Sequence, residues 1–221
     1  VHLKGTLTTM SALRLGAGRS SDLTGEDLVV VKDSLRRPVV PGSSLKGALR
    51  AFGERLLRTL EPLAEVEDGA NAPPFACDPL VAPCLDNEEV TQIKNDEEIG
   101  DVDRTLYSRS CWACRLFGAP WLASHVAFKD ATVDEDRWFD LFEHRDGVSI
   151  DRDTGAAAAK RLYSFEAVPA DTAFTVDIVV EDATDAELGL LLLTLEGLAR
   201  DRLSLGGARS RGLGRDRKSV V

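Results

Sequence analysis

Four cysteines are the residues of this chain whose types and spacing most directly indicate chemistry. Cys111 and Cys114 form a C-x2-C pair, and Cys77 and Cys84 lie upstream at C-x6-C spacing. A C-x2-C turn lets two thiolates reach one ion, and a second pair completes a tetrahedral zinc shell. Such a site would stabilise a segment with little hydrophobic core of its own. The sequence therefore predicts structural zinc, and the alternative is four separate small core residues.

A glycine-rich stretch over residues 206–215 is the second candidate. Its glycines expose backbone amides to close approach by a phosphate, and Arg209, Arg211 and Arg215 add forked donors. The stretch lacks the lysine of a phosphate-binding P-loop and does not precede a helix, which disfavours a nucleoside triphosphate site. It is equally compatible with a plain β-turn.

A cluster of carboxylates in the first part of the chain is the third candidate: Asp22, Glu26, Asp27 and Asp33. Carboxylates on such a loop could hold a hydrated Mg²⁺ or orient a ribose 2′-hydroxyl for attack on its own phosphodiester. The alternative is a set of acids in a solvated turn. The three histidines are scattered, which gives no support to a histidine-pair ribonuclease mechanism.

The clearest helix starts at residues 41–44, where a serine could supply the N-cap oxygen. An apolar stripe follows at steps of three and four residues: Leu45, Leu49, Phe52, Leu56 and Leu60, with Ala48 and Leu57 widening it. Lys46 and Arg50, four residues apart, share a different face near the helix start. Because free amides and the helix dipole favour anions, Ser43 and Ser44 at this N-terminus predict an anion site that the two cations extend.

The other elements follow from hydrophobic periodicity. Strands are predicted over residues 2–15, 28–31, 125–133 and 174–180. A second helix is predicted after Thr184, with Glu187 completing a capping box. Residues 61–104 lack periodicity and predict an irregular insertion, while residues 138–163 predict a projecting hairpin or loop. Strands alternating with two helices are typical of an α+β fold of ferredoxin-like type.

Length and composition limit the possible classes of protein. The chain has 221 residues, of which 43% are apolar and 29% charged, so disorder of the whole chain is excluded. The longest apolar stretch is too short to cross a bilayer. Four cysteines without an export signal read as reduced thiols or metal ligands, so a cytoplasmic protein without a membrane partner is expected.

The net charge of −10 is unevenly distributed along the chain. Residues 61–103 hold thirteen acidic side chains and one lysine, whereas residues 1–60 hold ten basic and five acidic side chains. Residues 195–221 hold seven basic and three acidic ones. A polyanion could therefore approach both chain ends, although solvated basic surfaces would look the same.

Four segments together resemble the RAMP superfamily, the RNA-binding subunits of CRISPR effector complexes. Residues 41–50 (PGSSLKGALR) resemble its PGSSLKG segment, and residues 206–214 (GGARSRGLG) resemble its C-terminal glycine-rich loop. Residues 111–118 (CWACRLFG) and 147–155 (GVSIDRDTG) resemble segments of the type III backbone subunits. The resemblance extends over nearly the whole chain in the family's order.

The resemblance implies a particular architecture and a catalytic position. It implies one RAMP domain over residues 1–221: a ferredoxin-like palm of RRM-like topology, an acidic cysteine-bearing insertion stabilised by zinc at 61–124, and a thumb-like hairpin at 134–163. Residues 30–33 (VVKD) match the family's VIKD strand, which places Asp27 at the position of the cleaving aspartate. Asp33, at the end of that strand, is the weaker candidate.

The implied function is that of a type III backbone subunit that binds guide RNA and cleaves complementary target RNA with the help of Mg²⁺ or another divalent ion. The residues expected to contact RNA are Ser43, Ser44, Lys46, Arg50, Arg209, Arg211 and Arg215. Expected partners are the guide RNA, the target RNA and further RAMP subunits. The alternative is a non-catalytic scaffold in the same kind of complex. A zinc-dependent metabolic enzyme is disfavoured because four cysteines fill a tetrahedral shell.

Overall fold

Helices and strands are interspersed along the chain in the computed structural model, which describes residues 1–19, 27–60 and 73–220. The helices within these residues are α1 (Gly42–Leu60), α2 (Asn87–Asn95), α3 (Val102–Ser108), α4 (Trp112–Phe117) and α5 (Asp185–Ala199). The strands are β1 (His2–Thr9), β2 (Gly16–Arg19), β3 (Leu28–Val30), β4 (Val39–Val40), β5 (Val126–Phe128), β6 (Ala131–Val133), β7 (Glu143–Ile150), β8 (Ala157–Ala167), β9 (Ala173–Val180) and β10 (Asp216–Val220). The predicted mixed α+β class is confirmed. In the part of the chain that the structure describes, no helix is long and apolar enough to cross a membrane.

The strands form two sheets. One has the order β10-β1-β9-β6-β4, and β5 also pairs with β9. The other has the order β2-β3-β8-β7, with β3 and β8 parallel and its other pairs antiparallel. Strands β7 and β8 pair from Glu143 and Ala167 to Ile150 and Ala157, where the sequence predicts a hairpin. That this hairpin acts as a thumb stays a prediction.

The chain divides into two compact units, each assembled from three stretches of sequence. The first comprises Val1–His2, Lys46–Phe128 and Ile178–Gly197, and the second comprises Leu3–Leu45, Lys129–Asp177 and Leu198–Val221. The first unit therefore holds the cysteines and most of α1 and α5. The second holds Asp27, the β7–β8 hairpin and the glycine-rich stretch.

The capping box at the start of α5 is confirmed. The Thr184 N–H donates to Glu187 Oε2 at 2.8 Å, and the Glu187 N–H donates to Thr184 Oγ1 at 3.3 Å. Glu187 is only 1% exposed, and its carboxylate also accepts from the Tyr107 hydroxyl at 2.8 Å. Burial alone would raise the pKa of Glu187, but the hydrogen bonds from Thr184 and Tyr107 outweigh it and lower that pKa. The cap thus joins α5 to the end of α3.

The buried face of α1 differs in part from the predicted stripe. Leu45 and Leu49 are buried as predicted, and Leu57 is buried as well. Leu60, the last residue of the helix, is 42% exposed, so its predicted place in the core is wrong. The predicted stripe therefore holds at Leu57 and fails only at the end of the helix, at Leu60.

The described part of the acidic insertion contains helices where an irregular segment is predicted, so that prediction is wrong there. Asp86 and Glu89 form a capping box at the start of α2, and the Asp101 side chain accepts from the first turn of α3. A small core of Leu85, Ile93 and Leu106 lies between these elements. Asp86 and Asp101 are therefore helix caps, which satisfy free amides at the start of α2 and α3. Residues 61–72 lie outside the described part of the chain.

Two predicted strands are shorter than expected. Strand β1 ends at Thr9, and the single strand predicted over residues 125–133 consists of β5 and β6 with Lys129 and Asp130 between them. The interruption places Asp130 Oδ1 at 2.7 Å from the Gly42 N–H, the first amide of α1. A carboxylate from elsewhere in the chain therefore caps α1, and the predicted serine cap is wrong.

Candidate functional site

The four cysteines lie together in the first unit. Their sulfur atoms are all within 4.8 Å of one another, and Cys77 Sγ lies 3.6 Å from Cys114 Sγ. A tetrahedral zinc–thiolate centre with bonds of about 2.3 Å spaces its sulfurs about 3.8 Å apart. A disulfide needs sulfurs about 2.05 Å apart. The four thiols therefore have the chemistry and the spacing that zinc requires.

Backbone amides point at the sulfurs because Cys111 is the N-cap of α4. Cys111 Sγ accepts from the N–H groups of Cys114 and Cys77 at 3.4 Å each, and Cys84 Sγ accepts from the Cys111 N–H at 3.1 Å. Hydrogen bonds from the Cys114 and Cys84 thiols, assisted by these amides, lower the pKa of the Cys111 thiol. The hydrogen bond to Cys111 keeps Cys84 protonated and raises its pKa to about 12. Two backbone donors thus converge on the sulfur of Cys111.

Asp27 lies immediately before β3 in the second unit, and it is exposed. Its Oδ2 accepts from the Ser164 backbone N–H at 2.9 Å, and its own N–H donates to Ser164 Oγ at 3.3 Å. The following residues, Leu28 and Phe165, are in parallel register between β3 and β8. These contacts fix Asp27 beside the middle of β8.

Asp33 has a different setting from Asp27. Its carboxylate accepts from the N–H groups of Leu35 and Arg37 at 2.8 and 2.9 Å, and from Arg37 Nε at 2.8 Å. Burial works in the opposite direction, yet these hydrogen bonds hold the pKa of Asp33 below its usual value. Asp33 therefore closes a turn. The other two acids of the predicted cluster, Asp22 and Glu26, lie outside the described residues.

An aromatic pair on β8 includes the residue that contacts the glycine-rich stretch. Tyr163 and Phe165 stack with ring centroids 6.2 Å apart, and the Arg211 guanidinium donates to the Tyr163 hydroxyl. Gly147, opposite Tyr163 on β7, gives the ring its space, since a Cβ there would lie 2.3 Å from a ring atom. Tyr163 directly precedes the residue that holds Asp27. The structure thus brings the predicted catalytic residue and one predicted RNA-binding arginine to the same stretch of β8.

The glycine-rich stretch owes part of its composition to backbone packing. Gly214 has a φ of +78°, and a Cβ there would lie 2.0 Å from the Leu205 carbonyl oxygen. Its N–H donates to the Ala12 carbonyl at 2.9 Å, which ties the stretch to the segment after β1. Glycine is needed here for close approach of protein backbone, as the β-turn alternative expects.

The three arginines of this stretch differ in their contacts. Arg209 and Arg211 are exposed and lie in one short 3-10 turn. Arg215 is exposed too, but its Nε donates to the Asp201 carboxylate at 2.8 Å. The cationic surface available to a polyanion is therefore centred on Arg209 and Arg211.

The start of α1 offers less to an anion than the sequence suggests. Ser43 is exposed and Ser44 half-buried, but the Ser44 N–H donates to the Pro41 carbonyl at 2.9 Å. The Gly42 N–H already donates a hydrogen bond to the Asp130 carboxylate. A negative charge at this helix N-terminus opposes a second anion.

Lys46 and Arg50 point into the first unit. Lys46 Nζ donates to Ser124 Oγ at 2.8 Å and to the Val126 carbonyl at 3.4 Å, and burial, together with Arg50, lowers the pKa of this amine. Arg50 Nη2 lies 3.6 Å from Cys114 Sγ. The structure therefore places the guanidinium of Arg50 at the cysteine cluster.

Comparison with known proteins gives the family. A model of the RAMP superfamily matches residues 6–216. The chain belongs to the RAMP superfamily. Over 57 residues this RAMP chain is 42% identical to the CRISPR system Cms endoribonuclease Csm3 of Mycobacterium tuberculosis. That match covers 25% of the RAMP chain and 24% of the relative, so the two are aligned over about a quarter of their lengths.

The fold of the RAMP chain also occurs in a solved complex. A chain of the Type IV-B CRISPR Complex is similar with a TM-score of 0.60 at 18% identity. The similarity covers 100% of this RAMP chain and 90% of that chain. At this level of identity the likeness concerns the fold.

Sequence reasoning missed three residues of the second unit: Arg14, Tyr163 and Ser164. The Arg14 guanidinium lies 5.4 Å from the centroid of the Phe165 ring, and the other two residues connect Arg211 and Asp27. The alternation of aromatic and polar residues over 163–166 is a strand signal that could have found β8. Nothing in the sequence around Arg14 indicates its contact with an aromatic ring.

Proposed function

We propose that this RAMP chain is a backbone subunit of a type III CRISPR effector complex that binds guide RNA and cleaves complementary target RNA at Asp27. The observation that carries the proposal is the meeting of Asp27, Ser164, Tyr163 and Arg211 at one stretch of β8. The partly matching relative from Mycobacterium tuberculosis, which is named a CRISPR endoribonuclease, supports the same reaction class.

RNA would be held mainly through its phosphates. Exposed Arg209 and Arg211 supply forked, charge-assisted donors, and such contacts ignore base identity, as a subunit that serves any guide requires. The exposed Ser43 would add a hydroxyl contact from α1, and Arg215 would add one beside its pair with Asp201. In this proposal the first sheet, β10-β1-β9-β6-β4, whose strands alternate with α1 and α5 along the chain, serves as the ferredoxin-like palm.

The β7–β8 hairpin would serve as the thumb. Three of its apolar side chains are exposed, with Val148 at 44%, Ile150 at 58% and Leu162 at 70%. Apolar side chains displayed on a projecting hairpin can insert between stacked bases. The hairpin would thereby interrupt guide–target pairing close to Asp27, and the neighbouring phosphodiester would be held in an unstacked conformation.

Cleavage would follow from the chemistry of the residues around Asp27. The Asp27 carboxylate would accept the proton of the target 2′-hydroxyl, whose oxygen then attacks the adjacent phosphorus while the bond to the 5′-oxygen breaks. The leaving 5′-oxygen takes a proton from water, so the products are a 2′,3′-cyclic phosphate and a 5′-hydroxyl, and the Asp27 carboxyl returns its proton to solvent. Arg211 would bind a non-bridging phosphate oxygen, and Ser164 keeps Asp27 in place. A divalent ion, when bound, would neutralise charge on the phosphate.

A non-catalytic scaffold is the second candidate function. One observation favours it: Asp27 Oδ2 already accepts a backbone hydrogen bond that links β3 to β8, which gives this side chain a structural use without catalysis. Guide binding, zinc and the thumb would be the same in both cases. The two functions differ only in whether the target is cut.

Incubating the assembled complex with labelled complementary RNA separates the two functions. We expect cleavage in Mg²⁺, with 2′,3′-cyclic phosphate and 5′-hydroxyl ends, and no cleavage in EDTA while the target stays bound. A non-complementary RNA of the same length serves as the control and should remain intact. Tight target binding without any cleavage in Mg²⁺ would instead establish the scaffold.

A further inference from the structure

Three charged side chains follow one another at four-residue spacing along α1: Arg50, Glu54 and Arg58. Glu54 Oε1 accepts from Arg50 Nε at 2.8 Å, and its other carboxylate oxygen lies 3.8 Å from Arg58 Nη2. Residues four apart lie on one face of a helix, so the three form a continuous charged stripe. We refer to these three residues as the charged stripe of α1.

Arg50 contacts both Cys114 and the C-terminal end of α4. Its Nη1 donates to the Gly118 carbonyl at 2.8 Å, and its Nη2 lies 3.6 Å from Cys114 Sγ. Gly118 caps the C-terminus of α4 and donates its own N–H to the Cys114 carbonyl. One guanidinium therefore fixes Cys114 through its sulfur and through the end of its helix.

Arg58 contacts the other cysteine pair through a backbone carbonyl. Its Nη2 donates to the Cys77 carbonyl at 2.5 Å. Glu54, only 12% exposed at its side chain, holds Arg50 and Arg58 in place from between them. The stripe thus contacts one cysteine from each half of the cluster.

These contacts place positive charge beside a cluster that is anionic when it holds zinc. Four thiolates around one Zn²⁺ carry a net charge of −2, which is costly to bury without compensation. A guanidinium that donates to a ligand sulfur supplies positive charge and also orients the ligand. Removing an outer hydrogen-bond partner of a metal ligand typically lowers metal affinity by about 10- to 100-fold.

We propose that Arg50 is a positioning residue of the four-cysteine metal centre rather than a phosphate ligand, and that the charged stripe of α1 slows the release of zinc. The inference rests on the zinc site of the proposed function. It gives the arginine of the PGSSLKGALR segment a role at the metal centre in place of a contact with RNA.

Zinc transfer from the full-length chain to a chromophoric chelator tests this proposal. Arg50→Met removes the charge and keeps most of the side-chain length, and we expect zinc release about 10- to 100-fold faster than in the unaltered chain. Arg50→Lys keeps the charge without the fork and should give an intermediate rate. Arg55→Met, at an exposed position of the same helix, is the matched control and should release zinc at the original rate.

A second measurement keeps the test independent of folding defects. The salt dependence of single-stranded RNA binding should be the same for the unaltered chain and for Arg50→Lys, and for Arg50→Met if its circular dichroism is unchanged. Zinc release at the original rate from both Arg50→Met and Arg50→Lys would overturn the role of Arg50 at the metal centre. So would RNA binding that depends less on salt in either variant than in the unaltered chain. Neither result would remove the metal centre itself. A purified unaltered chain without zinc would overturn the metal centre and this inference together.

Discussion

Replacing Asp27 by asparagine should lower the rate of target RNA cleavage by about 100- to 10,000-fold, the usual contribution of a residue that transfers a proton in the transition state. Asparagine keeps an oxygen that can accept from the Ser164 N–H, so the link between β3 and β8 is retained. Only the negative charge and the proton acceptor are lost. Single-turnover cleavage by the assembled complex, at saturating Mg²⁺, measures the effect.

Asp33→Asn is the matched control for this prediction. Asp33 holds a turn through Leu35 and Arg37, so its loss should lower stability modestly and leave the cleavage rate of the folded complex unchanged. Guide and target binding should be unaffected in both variants. Cleavage at the original rate by Asp27→Asn would remove Asp27 from the mechanism, and a specific loss with Asp33→Asn would transfer the role to that residue.

Replacing Cys111 and Cys114 by serine should remove zinc and destabilise the first unit. We expect the unaltered chain to carry about one zinc ion, in keeping with a four-thiolate site. Because metal binding to such a site contributes directly to folding, the thermal midpoint of the double variant should fall by about 10 °C. Elemental analysis and thermal unfolding measure the two effects.

The location of the destabilisation distinguishes a metal centre from ordinary core packing. Amide exchange should accelerate most in α2 and α3, since these two helices share a small apolar core, and in α4, which carries Cys114. Ser108→Ala, at an exposed position just before the pair, should change neither zinc content nor exchange. Equal thermal midpoints for the zinc-free and zinc-loaded chain would show that the cysteines are only small core residues.

The features that sequence alone could predict are local ones. The capping box of Thr184 and Glu187 spans three residues, and β3 is recognisable from its run of valines. The cysteine quartet was predictable because the C-x2-C spacing itself limits where the thiols can point. In each case the interacting groups are close in the chain, or the chemistry of the residue type restricts the answer.

The features that sequence could not predict depend on contacts between distant segments. Asp130 caps α1 from 88 residues away, which removes both the serine cap and part of the predicted anion site. Asp27 is held by Ser164 across 137 residues, and no periodicity reveals such a pair. The contact partner of Arg50 could not be predicted either. The same local sequence near a helix N-terminus allows a basic side chain to contact a phosphate or a cysteine sulfur.

We expect the glycine-rich stretch of the second unit to bind the phosphates of the RNA backbone. Single-stranded RNA binding measured against salt concentration tests it most directly, since each phosphate contact contributes about 0.7 to the slope of log affinity against log salt. The Arg209→Gln/Arg211→Gln variant should lose about 1.4 from that slope. The Arg104→Gln/Arg109→Gln variant, with two exposed arginines of the first unit changed, should lose nothing. An unchanged slope in the first variant, or an equal loss in both, would contradict the account.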